Sequence, residues 1–378
     1  MRARGRRSAL AVVVLALLTL LASCGSDPVR PQASPVTVAG RQVSRVDPAT
    51  DGRFVVGVLL AKTGPLAAAD ARVLTGVESA VGALAALGVP SELVPELDVV
   101  DTRSDLRVAT EAAGRQLDRG ADVLVVGCDP EVARNAARAA ARSGRLVLAP
   151  CVGDAGIDAD GSLFTFGPDD DAQGRVLAEQ AIAAGLSSAA AVSELSPADG
   201  ARVCRSFVAR YQEVGGRVVA ELEQPLGVGA DVSARNLARL ERPQVVVSCV
   251  TTSSVPVLVS TLRELGIDTP VLATAAADGA GLDDPTVAYL EPAALRPPTP
   301  ALQRLIDAGV PSSSAVTVLS AFAIDLLVGA ASEAGAFDGA SLAAGMRSPA
   351  AAARADGMVF DERQRLVPPL GLVPATAP

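Results

Sequence analysis

The sequence predicts an α/β chain whose doubly wound parallel sheets are divided between two lobes. Three observations predict it. Short apolar, β-branched runs alternate with segments of helical period along most of the chain, the pattern of parallel strands joined by crossover helices. About 325 residues follow position 52, more than one hydrophobic core ordinarily supports. The stretch 54–78, FVVGVLLAKTGPLAAADARVLTGVE, sets strand, loop and helix in immediate succession. Its run 54–60 suits a strand buried on both faces. Thr63, Gly64 and Pro65 stop that strand in a tight turn, and from Ala67 an alanine-rich segment carries Val73, Val77, Val81 and Leu84 at helical spacing to 87. Ligands of open parallel sheets sit beyond the carboxyl ends of the strands, so this first loop is a natural binding position.

At the N-terminus, Arg2, Arg4, Arg6 and Arg7 precede an apolar run at 9–20 and the sequence Leu21-Ala22-Ser23-Cys24. This is the layout of an export signal, and its run is too short for a comfortable membrane span. Leu-Ala-Ser-Cys has the form of a bacterial lipobox. Residues 1–23 are therefore expected to be a lipoprotein signal peptide, with lipid on Cys24 anchoring the chain to the membrane. Residues 24–52 are rich in Ser, Pro, Gly, Asp and Arg, cannot bury a core and read as a flexible tether.

Without the signal the balance is 29 basic against 42 acidic side chains, a net −13, and no basic run follows residue 7. Nucleic acid is excluded as a partner on that ground. No later apolar run is long enough to span a bilayer without interruption.

Strands are expected at 93–100, 123–126, 146–149 and 163–166, with helices at 105–119 and 131–143, the former capped by Ser104 or Asp105. Asp169, Asp170 and Asp171 open a helix to 184. Strands at 189–193, 218–222, 245–249 and 271–273 then alternate with helices at 201–214, 234–240 and 254–265. A proline-rich passage at 296–300 breaks regular structure. Helices at 301–308, 314–333 and 341–346 follow, and 357–361 begins a hairpin-like ending.

The chain has no histidine, which removes Ser-His-Asp and Cys-His hydrolases, HExxH proteases and histidine-held metals together. There is no GxxxxGK[ST] loop, and Gly279-Ala280-Gly281 lacks the third glycine of a dinucleotide fingerprint. Asp169, Asp171 and Gln173 faintly resemble a calcium loop, but Gln180 stands where the bidentate Glu belongs. Acidic side chains at a helix start explain them better. No cofactor and no metal are expected. Besides Cys24, four cysteines remain, an even number open to three pairings or to four buried free thiols.

The string GVLLAKTGPLAAADARVLTGVESAV, with Thr63-Gly64-Pro65-Leu66 and then Gly76, Val77 and Glu78, resembles the opening of the type I periplasmic binding proteins, in the leucine/isoleucine/valine-binding branch that serves ABC importers. Asp171-Ala172-Gln173-Gly174 and Gly357-Met358-Val359-Phe360-Asp361 resemble that family's crossover into the second lobe and its closing hairpin. The resemblance covers about 53–367. It implies two lobes joined by a multi-strand hinge, the first from 53–167 and 292–357, the second from 168–291 and 358–378. It also implies a small-molecule ligand in the cleft, an ABC permease as partner and no enzymatic activity.

In that branch the first lobe holds an amino acid's carboxylate and the second its ammonium. This chain keeps the frame and changes the groups. Cys128-Asp129-Pro130 stands where serines are usual, and Pro150-Cys151-Val152-Gly153 lacks the usual threonine. Asp199-Gly200 replaces Tyr-Gly, Thr251 and Thr252 fall near a later tyrosine, and Asp278 lies close to the usual glutamate position. Thr63, Gly64, Asp129, Cys151, Val152, Gly153, Asp199, Thr251, Thr252 and Asp278 are thus the candidate ligand-binding residues. Asp129, Asp154, Asp199 and Asp278, if they converge, favour a cation or amine; separately they read as solvated loops or caps. Within the lobes, Cys128 and Cys151 follow successive strands, and Cys204 and Cys249 stand similarly, so these two pairs are the expected disulfides. A solute-binding lipoprotein is the leading reading. A ligand-sensing envelope regulator on the same fold is the alternative.

Overall fold

The computed structural model describes residues 36–38, 41–43, 53–153, 161–195, 198–358, 360–366 and 368–375. Cys24 and the expected signal peptide lie outside them, as does Asp154. Two units are distinguished, Met1–Arg45 and Val46–Pro378. In the first, β1 (Val36–Val38) pairs antiparallel with β2 (Arg41–Val43), so the segment expected to be a bare tether contains a short ladder.

The second unit holds two sheets. The first is ordered β4-β3-β5-β6-β7, from Glu96–Asp101, Val55–Leu60, Val123–Val126, Leu146–Ala149 and Leu163–Thr165, all parallel. The other is ordered β13-β12-β11-β10-β8-β9, from Leu370–Pro374, Val287–Pro292, Val271–Ala273, Val245–Cys249, Ser188–Glu194 and Arg217–Gln224. It is parallel except for β13, which runs antiparallel along β12. Each sheet therefore has the same doubly wound sequence, with the first strand between the second and the third. The point where the order reverses lies between β3 and β5 in one sheet and between β8 and β10 in the other.

Side chains alternate across each strand and feed a separate core on each face. Val56, Val58 and Leu60 join one cluster and Leu59 the opposite one; Ala190 and Val192 face away from Ala189 and Ala191. The first core is completed from far along the chain. Phe54 stacks on Phe337 with ring centroids 4.2 Å apart. The helix Ala315–Ala334 packs on the helix Ala67–Ala83, close enough that a Cβ on Gly76 would lie 2.2 Å from the Thr317 carbonyl oxygen. Thr165 donates its N–H to the Gln364 carbonyl and its own carbonyl accepts from the Leu366 N–H, which ties a crossing segment to β7.

Within the second unit, β12 and the short helix Pro349–Arg354 were not expected. The strand expected at 93–100 begins only at Glu96, because Ser91–Leu93 forms a turn of 3₁₀ helix and Pro95 has no N–H for a ladder. Asp105, not Ser104, caps the next helix by accepting from the Val108 N–H. One later apolar run comes close to the length of a membrane span. Ala315–Ala334 is long and apolar enough to cross a membrane by length and composition, with a mean hydropathy of 1.9, yet 83% of its apolar window is buried inside the protein. Asp325 interrupts it and is paired with Arg304 at 2.7 Å and Arg354 at 3.4 Å.

Candidate functional site

The loops that follow β3, β5, β6 and β7 face those that follow β8, β10 and β11 across a cavity of about 120 Å³. Its walls are mostly apolar, with Leu66, Ala69, Pro150, Val203, Val250, Ala276, Val316 and Leu319 among them. The polar groups on it are few: Arg72, Asp170, Gln173, Glu194, Thr251, Thr252 and Thr274.

Each wall is organised by a buried carboxylate. In the first sheet, Asp70 is 3% exposed and accepts from the Ala61 N–H (2.6 Å) and the Cys128 N–H (2.8 Å), tying the ends of β3 and β5 together. Gly127 makes room for it, since a Cβ there would sit 2.2 Å from Asp70 Oδ2. Burial pushes the Asp70 carboxyl up to about 7, against the two amides and Arg72, which favour its charged form. In the second sheet, Glu194 at the end of β8 accepts from the N–H groups of Thr251 (2.7 Å) and Gly227 (2.9 Å) and from the hydroxyl of Ser254 (2.6 Å). The Thr251 hydroxyl adds a longer contact at 3.5 Å.

Arg72 reaches from the first wall to the second. One terminal nitrogen donates to Thr252 Oγ1 (2.7 Å) and the other to the Gly279 carbonyl (3.3 Å). Its Nε–H is buried with no acceptor. Burial lowers the guanidinium's pKa, while Asp278 and Asp70 nearby oppose the shift. Two further contacts join the walls. The Ser253 hydroxyl donates to the Pro65 carbonyl (3.3 Å), and Asp278 Oδ2 accepts from Ser314 Oγ (2.6 Å) and the Val316 N–H (3.2 Å).

Of the candidate residues, Cys151, Gly153, Thr251 and Thr252 line the cavity. Thr63 and Gly64 lie outside its lining. Thr63 donates to Asp101 Oδ2 (3.2 Å), and Gly64, at φ 90°, packs against Ser104. Asp129 is a helix cap, accepting from the N–H groups of Glu131 (2.9 Å) and Val132 (3.3 Å), and burial pushes its carboxyl up. Val152 is fully buried in the core of the first sheet. Asp278 is the brace just described. Asp199 falls in the helix Ala198–Glu213, but its side chain lies outside the described residues. Of the four aspartates, only Asp129 and Asp278 thus have described side chains, one a helix cap and the other a brace between the walls.

The cysteines are joined Cys128 to Cys151 and Cys204 to Cys249, the two expected pairs. Cys128, Cys151 and Cys249 also line the cavity. Among the described residues no group of three or more acidic or cysteine side chains is arranged to hold a metal ion. Arg72, Asp70 and Glu194 were not among the candidates. The signal for Asp70 was present: it stands three residues before Val73 and seven before Val77, on the buried stripe of its helix. Arg72 carried no comparable signal.

Two doubly wound lobes with facing loops and a cavity between them define a hinged binding protein of the α/β class. The profile of the periplasmic binding protein family matches residues 54–371, and the chain belongs to that family. Its fold is the type I form. A branched-chain amino acid transporter substrate-binding protein from Streptococcus pneumoniae, in complex with isoleucine, superposes with a TM-score of 0.74 at 15% identity, over 86% of this chain and 97% of that one. A leucine-binding protein from Thermotoga maritima gives 0.70 at 17% identity over 84% and 94%. An ABC-transporter solute-binding protein from R. palustris, in complex with benzoate, gives 0.68 at 20% over 85% and 92%. Identities this low speak to fold alone. No curated protein sequence matches the chain. The family comprises substrate-binding proteins rather than enzymes, and it places the chain outside the cytoplasm.

Proposed function

We propose that this chain is the solute-capturing lipoprotein of an ABC importer, held at the membrane by lipid on Cys24 and closing its lobes around a small ligand of amino-acid size. The observation that carries the reading is the cavity at the carboxyl ends of both sheets, where the strand order reverses in each. Cys151, Gly153, Thr251 and Thr252 are assigned to ligand contact because they line it. Thr63, Gly64, Asp129, Val152 and Asp278 are assigned to holding the loops in place. Delivery to a permease follows from hinge closure, which gives the partner a different surface when ligand is bound.

A dye-based thermal shift against amino acids, amides, polyamines, short peptides, carboxylic acids and sugars tests capture, since the chain has no tryptophan to report binding. A ligand at 100 times its Kd is expected to stabilise the fold by about 2.7 kcal/mol, and a flat response from folded protein refutes solute capture. Cys24→Ala is expected to move the protein from the membrane fraction to the soluble one.

A further inference from the structure

We infer that the second lobe carries a binding site outside the cleft, a groove between the helix Ala198–Glu213 and the edge strand β9. It takes a compact zwitterion, the ammonium end on Glu221 and Glu223 and the anionic end on Arg205. The groove and the cleft share no lining residue, so the inference is independent of the solute-capture reading.

A gap in the packing makes the groove. β9 is the outermost strand of its sheet, and the Cys204–Cys249 disulfide ties the helix to β10, two strands in from that edge. Between helix and edge strand lie Ala191 and Ser193 of β8, with Ala201 on the flank of the helix. Side chains this small do not fill the space. About 300 Å³ is left, at the lower end of the range for small-molecule sites.

The strand register brings charge to it. Residues directly opposite on neighbouring strands share a face, and Glu221 stands opposite Ala191, Glu223 opposite Ser193. Both carboxylates therefore line the groove, about 7 Å apart along β9. Arg205 lines it from the helix. All three side chains are exposed, and none forms an ion pair among the described residues. Opposite charges thus border one groove without closing on each other.

Ser193 supplies a separate sign that the groove is unfilled. It is only 5% exposed and lines the groove, yet its hydroxyl has no hydrogen-bond partner among the described residues. Buried hydroxyls are ordinarily satisfied, so a ligand group that bonds this one gains an interaction the fold leaves unmade.

These groups define the occupant. An ammonium donates up to three hydrogen bonds and relieves the repulsion between two neighbouring carboxylates. Among the described residues no group of three or more acidic or cysteine side chains is gathered to hold a metal ion, which leaves the ammonium as the matching cation. A plain amine leaves the guanidinium unanswered, whereas an oxyanion at the other end of the same molecule pairs with it. A short chain with one charge at each end meets every polar group in the groove.

The test uses the full chain in detergent and titration calorimetry at low ionic strength, where exposed charges are least screened. The probes are 4-aminobutanoate, butylamine, which lacks the acid, and butanoate, which lacks the amine. 4-Aminobutanoate is expected to bind at least tenfold more tightly than either half. The double variant Glu221→Gln, Glu223→Gln and the single variant Arg205→Gln are each expected to weaken it at least tenfold. These side chains are exposed and hold no ion pair, so the variants are expected to keep the fold, checked by circular dichroism. Ser193→Ala is expected to weaken it severalfold. Affinity unchanged in the Glu221, Glu223 and Arg205 variants puts the probe elsewhere and overturns the inference. Equal affinity for butylamine or butanoate, or no saturable binding of any of the three, overturns it as well. Each of these outcomes leaves solute capture in the cleft standing.

Discussion

The two walls of the cleft solve one problem differently. Each must hold several loops beyond the ends of parallel strands, where backbone N–H groups have no ladder partner. The second lobe uses Glu194, which gathers amides and a hydroxyl from two segments, the loop at Gly227 and the one from Thr251 to Ser254. The first uses Asp70, shorter and limited to two amides, with Gly127 cleared to admit it. A carboxylate given many donors is cheap to bury, whereas one given two remains costly in its charged form. That difference makes the first wall sensitive to pH and the second sensitive to mutation.

The largest expected effect comes from breaking the second wall. Glu194→Ala strips the acceptor from Thr251 N–H, Gly227 N–H and Ser254 Oγ together and is expected to destabilise the protein by about 3–5 kcal/mol, read by urea denaturation. Asp70→Asn is smaller. An amide can accept from only one of Ala61 and Cys128, so the loss is expected to be about 1–3 kcal/mol. The same variant sharpens the pH contrast. A carboxyl raised from 3.8 to about 7 binds its proton more tightly folded than unfolded, so its contribution is present at low pH and is lost as pH rises from about 4 to about 7. Melting curves of the wild type should carry that decline, and those of Asp70→Asn should lack it. The smallest effect is at the loop tip: Thr63→Ala removes one exposed hydrogen bond to Asp101 and is expected to cost about 0.5 kcal/mol, with ligand affinity retained.

Most of the fold was legible because the central parallel strands, β3, β5, β6 and β10, are nearly continuous apolar runs followed by helices. β12 was not. Its sequence, VAYLEP, mixes polar with apolar residues, and it becomes a strand because β11 and β13 enclose it, the latter arriving from more than seventy residues later. The cleft was legible as a location and less so as a set of groups. Loops at strand ends were expected to bind, but Asp129 proved to be satisfying its own helix, a use any Asp before Pro invites. Arg72 was invisible for a different reason. On its helix it reads as a solvent residue, and only Thr252 and Gly279, 180 and 207 residues away, turn it into part of a cavity.

The helix Ala315–Ala334 has a consequence outside the folded protein. A chain that works beyond the cytoplasm has to cross a membrane, and on an unfolded route this segment offers the translocation machinery twenty residues that can be released sideways into lipid. Asp325 near its middle opposes that release, since an acid at the centre of a spanning helix costs about 2.5–3.5 kcal/mol to insert. Once the lobe assembles, Arg304 and Arg354 neutralise the same carboxylate. The acid that is paired with arginines in the folded lobe thus also weighs against the same helix settling in lipid on the way out.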